Sequence, residues 1–272
     1  MKLVFKKAGL LLASAMLVGC STSSIEDHIL RAKQLAAQGN LTELNVDTQL
    51  PIKVWGRLAS NTVTHVYIEG DGHAWRTSHQ PSLDPTPHNP VALKLAAADP
   101  HTSVLYLGRP CQYLVDTARG CHFSVWTKRR FGEVADIKTA LLQLAGDNEI
   151  VLIGFSGGAN LAIQLAVQLP QVTGLITVAG NLDANTFNRY HRLAKEPYGD
   201  NAELLTQLSH LPQLHYTGSH DTIVPPALTR RQLKEVSHSS CIQITEIANT
   251  NHHGPWQINW ADFSTLQQTC KY

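Results

Sequence analysis

A serine flanked by glycines stands at Gly154-Phe155-Ser156-Gly157-Gly158, which fits G-x-S-x-G. In that motif a serine is lifted off a strand end on a sharp turn, and glycines are needed because neighbouring backbone comes close on both flanks. A serine hydroxyl is a weak nucleophile until a base takes its proton and a third group orients that base. Two later stretches offer such partners. Gly218-Ser219-His220-Asp221-Thr222-Ile223-Val224-Pro225 supplies a carboxylate, and Asn249-Thr250-Asn251-His252-His253-Gly254-Pro255-Trp256 supplies two imidazoles. Each residue also has a plainer role open to it. Ser156 could cap a helix, Asp221 could close an Asx-turn before Pro225, and one of the two histidines must be a wall residue. Asp183 is a reserve acid whose plainer role is helix capping.

The elements that must position these residues follow from periodicity. Glu149–Phe155 is a branched, apolar run, the mark of a strand covered on both faces. Ala159–Leu169 carries no charge, and Asn160, Gln164 and Gln168 form one polar stripe on a helix that Pro170 stops. Ser24 and Gly39 bracket a first helix with Ile25, Ile29, Ala32 and Ala36 on one face. One or two strands are expected in Val46–Ala59, then strands at Val63–Ile68 and Ser103–Leu107. Asn89-Pro90 should cap and open a helix through Ala98. Phe131–Leu144 should be amphipathic. Strands at Val172–Val178, Gln213–Thr217 and Ile242–Ile247 follow, with helices over Leu228–Val236 and near Trp260–Gln268. Strands alternating with helices imply an α/β fold, with a mostly parallel sheet covered by helices on both faces. The candidate residues fall at the carboxyl ends of its strands, where such sheets bind ligands.

At 272 residues, with 43% hydrophobic content and a formal charge of +1, the chain suits one globular domain and lacks the basic footprint of a nucleic-acid binder. Residues 1–19 read as a signal peptide: Lys2, Lys6 and Lys7 flank an apolar run from Ala8 to Val18 that is too short to span a bilayer. Its loss takes the formal charge from +1 to −2. Leu17-Val18-Gly19-Cys20 resembles a bacterial lipobox, which implies lipidation of Cys20, a short tether over residues 20–24 and a folded domain over 25–272. Four cysteines remain. In an oxidising compartment they suggest two disulfides, and Cys111–Cys121 with Cys241–Cys270 is the expected pairing among three connectivities because each closes a local loop. No Cys-x-x-Cys or His-x-x-x-His spacing supports a metal, and no cofactor is expected.

From about Val46 to Trp260 the sequence resembles an α/β-hydrolase, with Ser156, Asp221 and a histidine in that fold's chain order and G-x-x-D-x-x-V-P around Asp221. Arg109-Pro110-Cys111-Gln112-Tyr113, Trp126-Thr127 with Arg130-Phe131, and Ala179-Gly180-Asn181-Leu182-Asp183 resemble a group of exported bacterial α/β-hydrolases. The resemblance implies His252, four residues before Trp256, as the base. It implies oxyanion donors at the backbone N–H groups of Gly157 and of Asp71, in Glu69-Gly70-Asp71. Two carboxylates beside a developing negative charge are unusual there, and Arg109 is the expected neutralising partner for Asp71. About 181–211 should form a small cap, with Phe187, Tyr190, Tyr198 and Trp256 available as pocket walls. The implied activity is a monomeric serine hydrolase of small-molecule carboxylic esters, lipid-anchored at Cys20 on the periplasmic side, the outer membrane favoured. Thioesters, amides or peptides are alternative substrates, and a non-catalytic envelope lipoprotein on the same fold is the rival from another class.

Overall fold

In the computed structural model, which describes residues 24–77, 79–114, 120–132 and 134–270, the apolar runs become the strands of a single sheet. The strands are β1 (Thr42–Leu44), β2 (Val54–Arg57), β3 (Thr64–Ile68), β4 (Val104–Leu107), β5 (Ile150–Phe155), β6 (Val172–Val178), β7 (Gln213–Gly218) and β8 (Ile242–Ile247). Their order is β1-β2-β4-β3-β5-β6-β7-β8. β2 runs antiparallel to both its neighbours, and every pairing from β4 to β8 is parallel. β5 lies between β3 and β6 with all six residues buried, as its unbroken apolar sequence requires.

Nine helices lie among the described residues: α1 (Ile25–Gln38), α2 (Val91–Ala98), α3 (Phe123–Trp126), α4 (Val134–Ala145), α5 (Gly157–Ala166), α6 (Ala184–His191), α7 (Ala202–Gln207), α8 (Pro226–Gln232) and α9 (Trp260–Thr269). Two large apolar clusters form the core, one containing residues of α4 and α5 and the other residues of α1, α2 and α9. The structure thus realises the expected α/β class with helices on both sides of the sheet. α1 starts with a reciprocal capping box between Ser24 and Asp27, and Gly39 closes it. The polar stripe of α5 has work to do. Asn160 Nδ2 donates to the Gly199 carbonyl (2.9 Å) and Gln164 Nε2 to the Phe131 carbonyl (3.1 Å), so the stripe ties loops to the central helix.

Several boundaries differ from the sequence reading, each for a physical reason. β2 falls within the span Val46–Ala59 expected to hold one or two strands, but β1 precedes that span, and residues 45–53 between the two form no strand. There the amides of Gln49 and Leu50 donate to Asp136 Oδ1 and that of Asp47 to Gln143 Oε1, so α4 side chains replace a β-ladder. Phe131 is buried but lies outside α4. Asn89 does not cap α2: Pro90 holds the cap position with no side-chain bond, and Asn89 Oδ1 accepts from Lys94 Nζ instead. The short helix α3 carries no periodicity long enough to announce itself. Disulfides join Cys111 to Cys121 and Cys241 to Cys270, with Cα atoms 5.7 and 4.4 Å apart. The expected signal peptide and Cys20, the expected site of lipidation, lie outside the described residues.

Candidate active site

Ser156 is the single residue between β5 and α5, with φ 49° and ψ −120°. This is a costly conformation for a residue with a Cβ, and it persists because the turn is held from both sides. The Ser156 amide donates to the Val178 carbonyl (3.0 Å), and its own carbonyl accepts from Ala159 and Asn181. Two glycines make room. A Cβ on Gly154 would stand 2.4 Å from Ala159 Cα, and one on Gly158 would stand 2.3 Å from the Ile68 carbonyl oxygen. The hydroxyl does not cap its own helix, so the plainer role for this serine is not the one taken.

Ser156 Oγ lies 3.0 Å from His252 Nε2, and His252 Nδ1 lies 2.8 Å from Asp221 Oδ2. With Asp221 ionised, Nδ1 carries the proton and donates to it, leaving the Nε2 lone pair to accept from the serine hydroxyl. Asp221 is 3% exposed, at the turn after β7. Its Oδ1 accepts from the amides of Ile223 and Val224, both at 2.8 Å. One oxygen therefore makes the turn that the sequence allowed, while the other faces the histidine. Burial alone would raise its pKa, but the His252 hydrogen bond and charge, with the two amides, bring it below the ordinary carboxylate value. His252 is held in turn. Its carbonyl accepts from the Trp256 indole N–H (3.1 Å) and its ring rests against Phe155. Asp183 is elsewhere engaged: it caps α6 through Thr186 N (2.7 Å) and binds Asn201 N (2.8 Å) with its second oxygen.

Ser156, His252 and Phe155 open onto a cavity of about 650 Å³ that Asp71, Gly157, Asn181 and Phe187 also line. Asp71 Oδ1 is 3.0 Å from Arg109 Nη1, as expected, and Oδ2 is 2.7 Å from Arg130 Nη1. Arg130 then reaches Glu196 at 2.8 Å. Burial would raise the Asp71 pKa, but the two guanidinium groups hold it below the usual value. Glu69 has no basic partner among the bonds that hold it. It is 1% exposed, and burial pushes its pKa up to about 7 against the opposing pull of the Gly70 amide, the Tyr106 hydroxyl and the Ala92 amide. Two guanidinium groups thus offset the Asp71 charge, and burial keeps Glu69 only partly ionised near neutral pH.

The expected pocket walls divide. Phe187 lines the cavity, whereas Trp256 supports the His252 backbone, and Tyr190 and Tyr198 are 42% and 47% exposed without lining it. His253 is a wall residue, 5.5 Å from the His252 ring between centroids. Sequence reasoning missed Trp75, His73 and His88, which also line the cavity. The available signal was their place in the long loop after β3, at the carboxyl edge of a parallel sheet. It also missed the Asp71–Arg130–Glu196 link, which joins residues 59 and 66 positions apart.

The sequence matches no protein-family model and no curated protein. Solved structures resemble it in shape. An α/β serine hydrolase without a lid from Xanthomonas campestris aligns with a TM-score of 0.52 at 18% identity, over 84% of this chain and 93% of that one. An inferred lipase from Acinetobacter baumannii aligns with a TM-score of 0.59 at 14% identity, over 92% and 98%. An esterase from Pyrococcus furiosus aligns with a TM-score of 0.52 at 14% identity, over 85% and 88%. At these identities the likeness is one of architecture, and it agrees with the strand order and helix placement described above: the chain has the α/β-hydrolase fold.

Proposed function

We propose that the protein is a serine hydrolase that cleaves carboxylic esters through an acyl-enzyme. The observation that carries this reading is the continuous hydrogen-bonded run from Ser156 Oγ through His252 to Asp221 at the wall of a cavity. His252 Nε2 takes the hydroxyl proton as Oγ attacks the ester carbonyl. The resulting oxyanion is held by the backbone N–H groups of Gly157 and Asp71. The protonated imidazole then donates to the leaving alcohol, and water, deprotonated by the same Nε2, releases the acid and restores Ser156. Asp221 fixes the imidazole tautomer throughout. The three neighbours described as a serine hydrolase, a lipase and an esterase lend support at the level of architecture.

A fluorophosphonate probe tests this directly. Labelling is expected at Ser156 alone, with Ser156→Ala unlabelled and slower on a short-chain aryl ester by roughly 10³-fold or more. Undiminished hydrolysis by Ser156→Ala would refute the reading. Export and lipidation of Cys20 belong to the same proposal, and the two closed disulfides support an oxidising compartment. Mass spectrometry of the mature chain should find acyl groups on Cys20 and no residues 1–19.

A further inference from the structure

The first helix enters the fold beside the catalytic cavity. His28, on the first turn of α1, stacks on His88 with ring centroids 4.2 Å apart and planes 4° from parallel. His88 stacks in turn on His73 at 4.4 Å, and both of these line the cavity. Cys20 precedes Ser24, the cap of α1, by only four positions. Fully extended, such a tether spans at most about 14 Å. A lipid on Cys20 would therefore keep this wall of the cavity close to the bilayer surface.

The segment that supplies this wall belongs to a lobe with large apolar side chains in water. Trp75, itself a cavity residue, is 40% exposed, Leu83 is 84% exposed and Phe123 is 43% exposed. Single exposed apolar residues are ordinary, but these three share one braced lobe. Trp75 bridges to Pro81, and the next residue, Ser82, accepts the Trp126 indole N–H at 3.2 Å. Phe123 opens α3, which ends at Trp126. Beneath them Ala74, Val125, Trp126 and Cys111 form a small apolar cluster of their own, pinned by the Cys111–Cys121 disulfide. A rigid lobe that presents a tryptophan and two other apolar residues next to a lipid tether has the chemistry of an interfacial anchor.

We propose that the lobe bearing Trp75, Leu83 and Phe123 docks into the surface of the bilayer that holds the Cys20 lipid. The cavity then receives its esters from the membrane, and the preferred substrates are lipid esters whose acyl chains reside there. This rests on the serine-hydrolase and lipidation readings above and adds the orientation and the substrate source. Docking shortens the path of an acyl chain from bilayer to Ser156, because Trp75 belongs both to the exposed lobe and to the cavity wall.

The test uses the full-length lipidated chain in phosphatidylcholine vesicles, with three readouts. Brominated phosphatidylcholine should quench a tryptophan component that Trp75→Phe lacks and that Leu83→Asp/Phe123→Asp leaves unquenched. The Leu83→Asp/Phe123→Asp chain should hydrolyse a vesicle-borne long-chain fluorogenic ester roughly tenfold more slowly, yet turn over a water-soluble short-chain ester within about twofold of the parent. An unquenched Trp75 in the parent chain overturns the proposal. So does a double variant that loses both esters equally, or that loses neither. Quenching reads docking without catalysis, and the soluble ester reads catalysis without docking. A parent chain that docks but cleaves no soluble ester therefore counts against the hydrolase reading and leaves the membrane face standing.

Discussion

The carboxylate of Asp71 lies against the Cα of Gly157, so closely that a methyl group on Gly157 would stand 2.2 Å from Asp71 Oδ1. The residue after the candidate nucleophile and the residue expected to supply the second oxyanion donor are thus in mutual contact, and Arg109 and Arg130 hold the same carboxylate. Gly157→Ala should push Asp71 off its arginines and shift its backbone. Ester turnover should drop by about 10²-fold, the scale set by an ångström of misplacement. In an Asp71→Ala background the same methyl group should cost far less, and a double-mutant cycle on kcat/KM measures the coupling. Additive effects would show that the contact does not transmit to the site.

Arg130 joins Asp71 to Glu196, and all three side chains are largely buried, between 14% and 22% exposed. Arg130→Gln should cost about 2–3 kcal/mol in urea unfolding, because it strands Glu196 and leaves Asp71 to Arg109 alone. Adding Glu196→Gln should recover part of that loss. If the double variant is as unstable as the sum of its parts, the link is not an interacting unit.

Asp221→Asn preserves the turn, since an amide oxygen still accepts from Ile223 and Val224. It places a donor against His252 Nδ1 and favours the wrong tautomer. The expected result is a loss of about 10⁴-fold in kcat near neutral pH with little change in stability. Asp183→Asn is the control: it can keep the α6 cap through its amide oxygen but sets a donor against the Asn201 amide, which should cost about 1 kcal/mol of stability while turnover stays within about twofold. Equal kinetic losses from both substitutions would remove Asp221 from its special place.

Glu69 makes stability depend on pH. Its carboxyl has a raised pKa of about 7, against an ordinary value of 4.5. Across that window the native chain keeps a proton that the unfolded chain has lost, so stability declines as pH rises and levels off above the upper value. Glu69→Gln can keep the bonds from Gly70 and Ala92 and donate to Tyr106. Relative to the parent it should gain up to roughly 3 kcal/mol between about pH 5 and pH 8, measured by chemical denaturation. A difference that does not vary with pH would mean that Glu69 titrates normally.

The amino-acid sequence by itself determined what is local in this protein. The strained turn at Ser156 was readable because its requirements lie within five residues: branched residues before it, glycines around it and an uncharged helix after it. The alternation of strands and helices was readable for the same reason, since period and punctuation are properties of short windows. Within the sequence only a family resemblance favoured His252 over His253 and Asp221 over Asp183, and the tertiary structure supplied the physical reason for each, as well as the residues that wall the cavity. His252 and His253 are adjacent and chemically identical, and the choice between them rests on how a loop 96 residues from Ser156 is aimed. Asp183 and Asp221 each follow a strand of the same sheet, yet the starts of α6 and α7 take one oxygen each of the first, whereas the β7 turn leaves one oxygen of the second free for His252. Trp256 reads as a pocket aromatic and is a brace, while Trp75 and Arg130 reach the cavity from loops without periodicity. Side-chain direction on a loop depends on the distant backbone and side-chain groups that hold it, and no short window of sequence contains them.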